Sequence, residues 1–147
     1  MSTTDPTPSL LDEAIVLATE VHRGQVDKAG APYILHPLRV MLTQTDNVRR
    51  IVAVLHDVVE DCGIAPDTVR ARFGDAVADA VVALTRGEGE DYDAFIARCA
   101  ADPIARDVKR ADIADNLDLS RLSTITDRDR DRAAKYRRAL AQLDAGA

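Results

Sequence analysis

Apolar residues recur along this chain at the three-to-four-residue spacing of helices, and runs with the strict alternation of strands are almost absent. Leu11, Ala14, Ile15, Ala18 and Val21 define a first stripe, and Ser9 followed by Asp12 resembles a capping box, which together predict a helix over 9–23. The segment GQVDKAGAPYILHP that follows is rich in Gly and Pro and reads as a loop. A second helix starts near Pro37 and carries Leu38, Val40, Met41 and Leu42, with His36 at its N-terminal edge. From Asn47 to about Cys62, the residues Val48, Ile51, Val52, Leu55, Val58 and Val59 form the clearest helical stripe in the chain.

Pro66, at a helix N1 position, opens a short helix to Phe73; Gly74 breaks it, and Ala76 to Leu84 forms another. The acidic loop at 87–91 leads into helices over Tyr92 to Ala101 and Ile104 to Leu119, separated by Pro103. A last helix, roughly Asp127 to Leu143, carries Ala133, Tyr136, Leu140 and Leu143. The expected architecture is an all-α helical bundle of seven or eight helices. No repeat, low-complexity tract or linker marks a boundary, so one domain is expected over 1–147, with its core at about 9–143.

Length and composition support a packed core, since 147 residues with 46% hydrophobic content are ample for one domain. The net charge of −6 supplies no summed positive field, which argues against a nucleic-acid or anionic-membrane partner. A small phosphorylated ligand remains compatible, because a few local cations suffice to hold it. Cys62 and Cys99 are isolated and lack CxxC spacing, so neither a disulfide framework nor a thiolate zinc site is expected. The first residues lack a basic segment followed by an apolar run, and nothing approaches a membrane span, so a cytoplasmic protein is expected. Monomer and homodimer fit the residue pattern equally.

The chemistry concentrates around His56-Asp57, an ion-capable pair inside an apolar stretch, where burial without a compensating partner is costly. Adjacent helical residues point about 100° apart, so both contact one ion only if it lies near the helix surface with other elements closing around it. His36 and Asp112 are candidates for the remaining ligands. Two imidazoles and two carboxylates suit manganese, iron, cobalt or zinc, and not calcium. Glu60 and Asp61 follow one turn later, where a carboxylate can orient a water or take its proton. A lone His-Asp dipeptide is most often chance; HDxxED in an apolar helix, preceded by PYxxHP and followed by KxADxxxN, is a far more demanding conjunction. Elsewhere, His22 is expected to be a structural, hydrogen-bonded histidine. Arg23, Arg39, Lys109 and Arg110 read as solvated or paired surface charges, the Asp-Arg run at 127–132 as a solvated helix start, and both cysteines as small packing residues.

GQxxKxGxPYxxHP at 24–37, HDVVED at 56–61, FGDAV at 73–77 and KRADIADN at 109–116 resemble the HD-domain phosphohydrolases. Within them, these motifs are similar to the alarmone hydrolase domain of RelA/SpoT proteins. The resemblance spans about residues 10–140, as in the stand-alone small alarmone hydrolases. It implies His36, His56, Asp57 and Asp112 as manganese ligands, with Glu60 and Asp61 positioning and activating the attacking water. It also implies Lys28 near the substrate, Asn116 at the nucleoside sugar, and Arg132 and Tyr136 on a substrate phosphate. The implied reaction is manganese-dependent hydrolysis of the 3′-pyrophosphate of guanosine tetra- or pentaphosphate, giving GDP or GTP and pyrophosphate.

Two positions depart from the family pattern. Asp27 stands where an arginine usually packs near the purine base, and Asp115 where a histidine is common. Asp27 keeps open a second reading with the same centre and another nucleotide: an adenine alarmone, NADPH as a phosphatase substrate, or a simple nucleotide. A third reading is a metal- or nucleotide-binding module without turnover, which has no evident need for Glu60 and Asp61.

Overall fold

A computed structural model describes residues 7–145, and every extended secondary-structure element in that range is helical apart from a single bridge between Val26 and Pro32. The order is α1 (Thr7–His22), α2 (Leu35–Leu42), α3 (Asn47–Leu55), α4 (Val58–Cys62), α5 (Pro66–Phe73), α6 (Asp75–Ala83), α7 (Tyr92–Ala101), α8 (Pro103–Asn116), a 3-10 turn at Leu119–Arg121, and α9 (Asp127–Ala145). No helix among the described residues is long and apolar enough to cross a membrane.

Helix α3 is the centre of the bundle, packed against α1, α2, α6 and α8. Its residues 51 to 55 are all buried, so the second half of the helix is enclosed on every side, while 47–50 remain partly exposed. Burying each large side chain there, such as Ile51 or Leu55, contributes roughly 1.5–3 kcal/mol. Local signals set the helix ends. The Asp46 carboxylate accepts from the Arg49 amide at the start of α3, and Asp102 accepts from the Ile104 and Ala105 amides ahead of α8, with Pro103 just inside. Gly63, at φ +70°, closes α4 in the left-handed conformation.

The helix expected from 47 to 62 is in fact two. His56 directs both its backbone N–H, at 3.4 Å, and its ring Nδ1, at 2.5 Å, to the carbonyl of Ala53. The last turn tightens, Asp57 falls at φ −104° and ψ −1°, and α4 restarts at Val58. The break therefore lies at the His-Asp pair itself.

Two expectations about helix starts are also corrected. Helix α1 already includes Thr7, so Ser9 and Asp12 lie within it and do not cap its start. The capping box belongs to α9: the Thr126 amide and hydroxyl donate to Asp129 Oδ2 at 2.9 and 3.0 Å, and the Asp129 amide returns a bond to Thr126 Oγ1 at 3.2 Å. Asp129 is buried, so the run at 127–132 is not simply a solvated helix start. The helix expected to reach Leu119 ends at Asn116, and Asp118 caps the following 3-10 turn through Ser120.

Candidate active site

The break after α3, the start of α2 and the last half of α8 meet in the interior. His56 donates its Nδ1 hydrogen to the Ala53 carbonyl, which leaves Nε2 facing inward. That Nε2 is buried without a hydrogen-bond partner, 3.1 Å from Asp57 Oδ2 and 3.5 Å from Asp112 Oδ1. His36 Nε2 lies 2.9 Å from the same Asp112 oxygen. One ligand atom each from His36, His56 and Asp112 falls within a 4.8 Å span, and all three residues are buried. Asp57 adjoins this trio through Oδ2, which also receives the Tyr33 hydroxyl hydrogen. An orphaned buried imidazole nitrogen facing a second imidazole and carboxylate oxygens fits a divalent transition ion.

The electrostatics of the cluster are strongly coupled. Burial favours the neutral form of Asp112, but the Lys109 ammonium at 2.9 Å and the two histidines overcome it and hold the carboxyl well below the ordinary range. Burial likewise opposes a charge on His56, and the carboxylates of Asp57 and Asp112 prevail, raising its pKa. For Asp57 the balance again favours the carboxylate, with the His56 charge and the Tyr33 donor outweighing burial.

Four residues that support this cluster are not in the predicted set. Asp115 accepts from His36 Nδ1 at 2.6 Å and is clamped by Arg39 through Nε at 2.8 Å and Nη2 at 3.0 Å. Arg39 is therefore no ordinary surface charge: through Asp115 it fixes the ring of His36. Lys109 is not one either, its side chain being only 13% exposed, paired with Asp112 and seated 5.1 Å from the centre of the Phe95 ring. Tyr33 holds Asp57, and burial next to that carboxylate raises the phenol's pKa and keeps it a donor. The sequence did contain a signal: His36 and Arg39, three apart on α2, face Asp112 and Asp115, three apart on α8. Arg110, in contrast, forms an exposed pair with Asp144, as a surface charge should.

Glu60 and Asp61 lie on α4 at the exposed rim. Partial burial and then neighbouring carboxylates raise both pKa values, with Asp61 and Asp57 acting on Glu60 and Asp57 on Asp61. Beside the trio opens a cleft of about 320 Å³, and Lys28, Asn116, Arg132 and Tyr136 all line it, with Tyr33 and His36 joining it to the buried cluster. Neither Glu60 nor Asp61 lines that cleft. The Asn116 amide donates to Asp112 Oδ1 at 3.2 Å, and Arg132 lies 3.6 Å from Asp129.

Asp27 also lines the cleft, and its Oδ1 accepts from the amides of Ala29 and Ala31 at 2.9 and 3.0 Å. The carboxylate thus shapes its own loop. His22 bonds Gln25 through Nδ1 at 2.9 Å and stacks 5.0 Å from Tyr33, while its Nε2 is buried without a partner. Cys99 is buried against the Ala83 carbonyl; Cys62 is half-buried, 3.4 Å from His22 Nδ1.

The HD-domain family model matches residues 14–93, more than half of the chain, and the chain belongs to that family. Among curated relatives, a guanosine-3′,5′-bis(diphosphate) 3′-pyrophosphohydrolase of Vibrio cholerae is 33% identical over 87 residues, covering 56% of this chain and 12% of its own length. A protein of the same name from Aquifex aeolicus is 34% identical over 119 residues, covering 73% of this chain and 17% of its own length. This chain thus spans under a fifth of either relative. A solved structure described as a metazoan ortholog of SpoT that hydrolyzes ppGpp superposes with a TM-score of 0.77 at 25% identity, over 97% of this chain and 88% of the other.

Proposed function

We propose that the protein is a manganese-dependent hydrolase that removes the 3′-pyrophosphate of guanosine tetra- or pentaphosphate. The observation that carries this reading is the buried, unpartnered Nε2 of His56 in a cluster of imidazoles and carboxylates beside a cation-lined cleft. The names of the Vibrio and Aquifex relatives and of the metazoan structure supply the substrate class.

In this reading His36, His56, Asp57 and Asp112 hold the ion, which when bound lowers the pKa of water and stabilises charge on the phosphoryl oxygens. Glu60 and Asp61 orient the attacking water and take its proton; their raised pKa values make them stronger bases than an ordinary carboxylate. The water oxygen bonds to the phosphorus attached to the 3′ oxygen, that oxygen–phosphorus bond breaks, and the 3′ oxygen leaves with a proton. GDP or GTP and pyrophosphate result. Lys28 and Arg132 offset phosphate charge, Tyr136 donates to a phosphate oxygen, and Asn116 contacts the sugar. Asp115, Arg39, Lys109 and Tyr33 keep the ligands in position.

Asp27 favours a competing reading of the nucleotide, since the cleft presents a carboxylate where the resemblance places an arginine. Pyrophosphate release from guanosine tetraphosphate with manganese, beside Asp57→Ala and a panel of adenine nucleotides and NADPH followed for orthophosphate as well as pyrophosphate, separates the two. Release from the guanosine compound, abolished in the variant, is expected. Turnover only elsewhere in the panel removes the guanosine assignment and keeps the hydrolase, while silence throughout favours a binding module.

A further inference from the structure

Outside the cleft, a second group of cations has gathered around two aromatic rings. Tyr92 and Phe95, one turn apart on α7, pack edge to face at 6.1 Å. Lys135 Nζ lies 3.8 Å from the centre of the Tyr92 ring and the Arg86 guanidinium 5.5 Å from it, while Lys109 and Arg98 lie 5.1 and 5.5 Å from the centre of Phe95. The pair on Phe95 is neutralised, Lys109 by Asp112 and Arg98 by Glu90. The pair on Tyr92 forms no salt bridge among the described residues: the Arg86 guanidinium bonds the Glu90 carbonyl at 2.9 Å, while the Glu90 carboxylate, whose charge Arg86 also feels, is bound by Arg98. The hydroxyl of the same Tyr92 ring is buried with no hydrogen-bond partner.

Attraction to the ring face does not require this arrangement, because a single cation satisfies a single ring. Burial and the repulsion of Arg86, Lys109, Arg132 and Arg138 depress the Lys135 ammonium pKa, so the cluster opposes its own charge. In a chain of net charge −6, with 25 carboxylates available to neutralise it, two cations without a salt-bridge partner beside an orphaned hydroxyl are an arrangement that an anion would complete.

We propose that Arg86, Lys135 and the Tyr92 hydroxyl form an anion subsite that takes the distal phosphate of the 3′-pyrophosphoryl group. This rests on the hydrolase reading above. Two features tie the subsite to the reacting centre: Lys109 joins the Phe95 ring to Asp112, and Lys135 directly precedes Tyr136 of the cleft wall on α9.

The test is binding of inorganic pyrophosphate to the metal-free chain at low salt, followed by calorimetry, for the wild type and for Lys135→Gln, Arg86→Gln and Lys135→Arg. The expected result is a loss of about tenfold or more in each Gln variant and recovery in Lys135→Arg. The melting temperature without ligand should stay level or rise in Lys135→Gln, because a repelled charge is removed. Unchanged pyrophosphate affinity in both Gln variants overturns the proposal, as does a Lys135→Gln chain that melts lower and binds pyrophosphate normally, which marks a purely structural ring contact. Absence of binding by the wild type overturns it as well. Since nothing turns over in this assay, Lys135-dependent pyrophosphate binding supports the subsite even where guanosine tetraphosphate proves not to be the substrate.

Discussion

Replacing Asp115 by Asn perturbs the cluster without touching any of the four proposed metal ligands. The carboxylate holds two donors at once, His36 Nδ1 at 2.6 Å and the Arg39 fork at 2.8 and 3.0 Å. An Asn amide offers one acceptor oxygen and one NH2, so whichever way it turns, a donor faces a donor. Water can solvate Arg39, whose side chain is one-third exposed, but reaches His36 poorly, at 7% exposure, so the amide turns its oxygen to His36 and its NH2 to Arg39; the imidazole then keeps a neutral acceptor but loses the carboxylate charge and the Arg39 clamp behind it. A ring whose second nitrogen faces a neutral, unclamped acceptor is a less basic and less firmly oriented ligand, and binds metal about 10- to 100-fold more weakly, roughly 1.4–2.7 kcal/mol. Manganese titration of metal-stripped protein by calorimetry should show this loss in Asp115→Asn and a smaller one in Arg39→Gln, which acts only through Asp115. Wild-type affinity in Asp115→Asn, or a larger loss in Arg39→Gln, would refute the reasoning that Asp115 orients His36.

Three further outcomes follow from the same contacts. Tyr33→Phe leaves the Asp57 carboxylate without its hydroxyl donor, which should cost about 1–3 kcal/mol in urea unfolding of the metal-free chain; unchanged stability contradicts the bond. Thr126→Ala removes the reciprocal cap of α9 and should lower stability by about 1 kcal/mol, a few degrees in melting temperature, with weakened nucleotide binding because α9 carries Arg132 and Tyr136. Asp112 and Asp115 have depressed pKa values, so their contribution is complete above the unfolded value near 3.9 and is lost as pH falls through the lower folded values. His56 is raised, so its contribution is complete below about 6.5 and is lost as pH rises through the higher folded value. The metal-free chain should therefore melt highest between about pH 4 and 6.5, and a melting temperature that climbs from pH 7 to 9 contradicts the His56 assignment.

Periodicity made most of the helices legible, and α3 above all, because Val48, Ile51, Val52 and Leu55 belong to a helix that really is buried. It failed at His56, where a side-chain bond to the Ala53 carbonyl ends the helix inside an unbroken apolar stripe. Two similar capping signals led to opposite outcomes. Ser9 and Asp12 fall inside α1, whereas Thr126 and Asp129 form a real box concealed in a run of Asp and Arg. The buried trio came from motif spacing, but its supports did not. The matching three-residue spacings of His36 with Arg39 and Asp112 with Asp115 were a signal, but pairing Arg39 with Asp115 spans 76 residues of sequence and becomes readable only once α2 packs on α8. Lys109 looks like any helix-surface lysine until the fold buries it against Asp112 and Phe95.

The central claim is tested most directly by hydrolysis of guanosine tetraphosphate in 18O-labelled water, using metal-stripped chain with and without added manganese and a His56→Ala control. The account predicts GDP with a free 3′-hydroxyl and labelled pyrophosphate as the only products, formed with manganese and lost both in its absence and in the variant. Label in orthophosphate, or equal release by the metal-stripped chain or by His56→Ala, would contradict it.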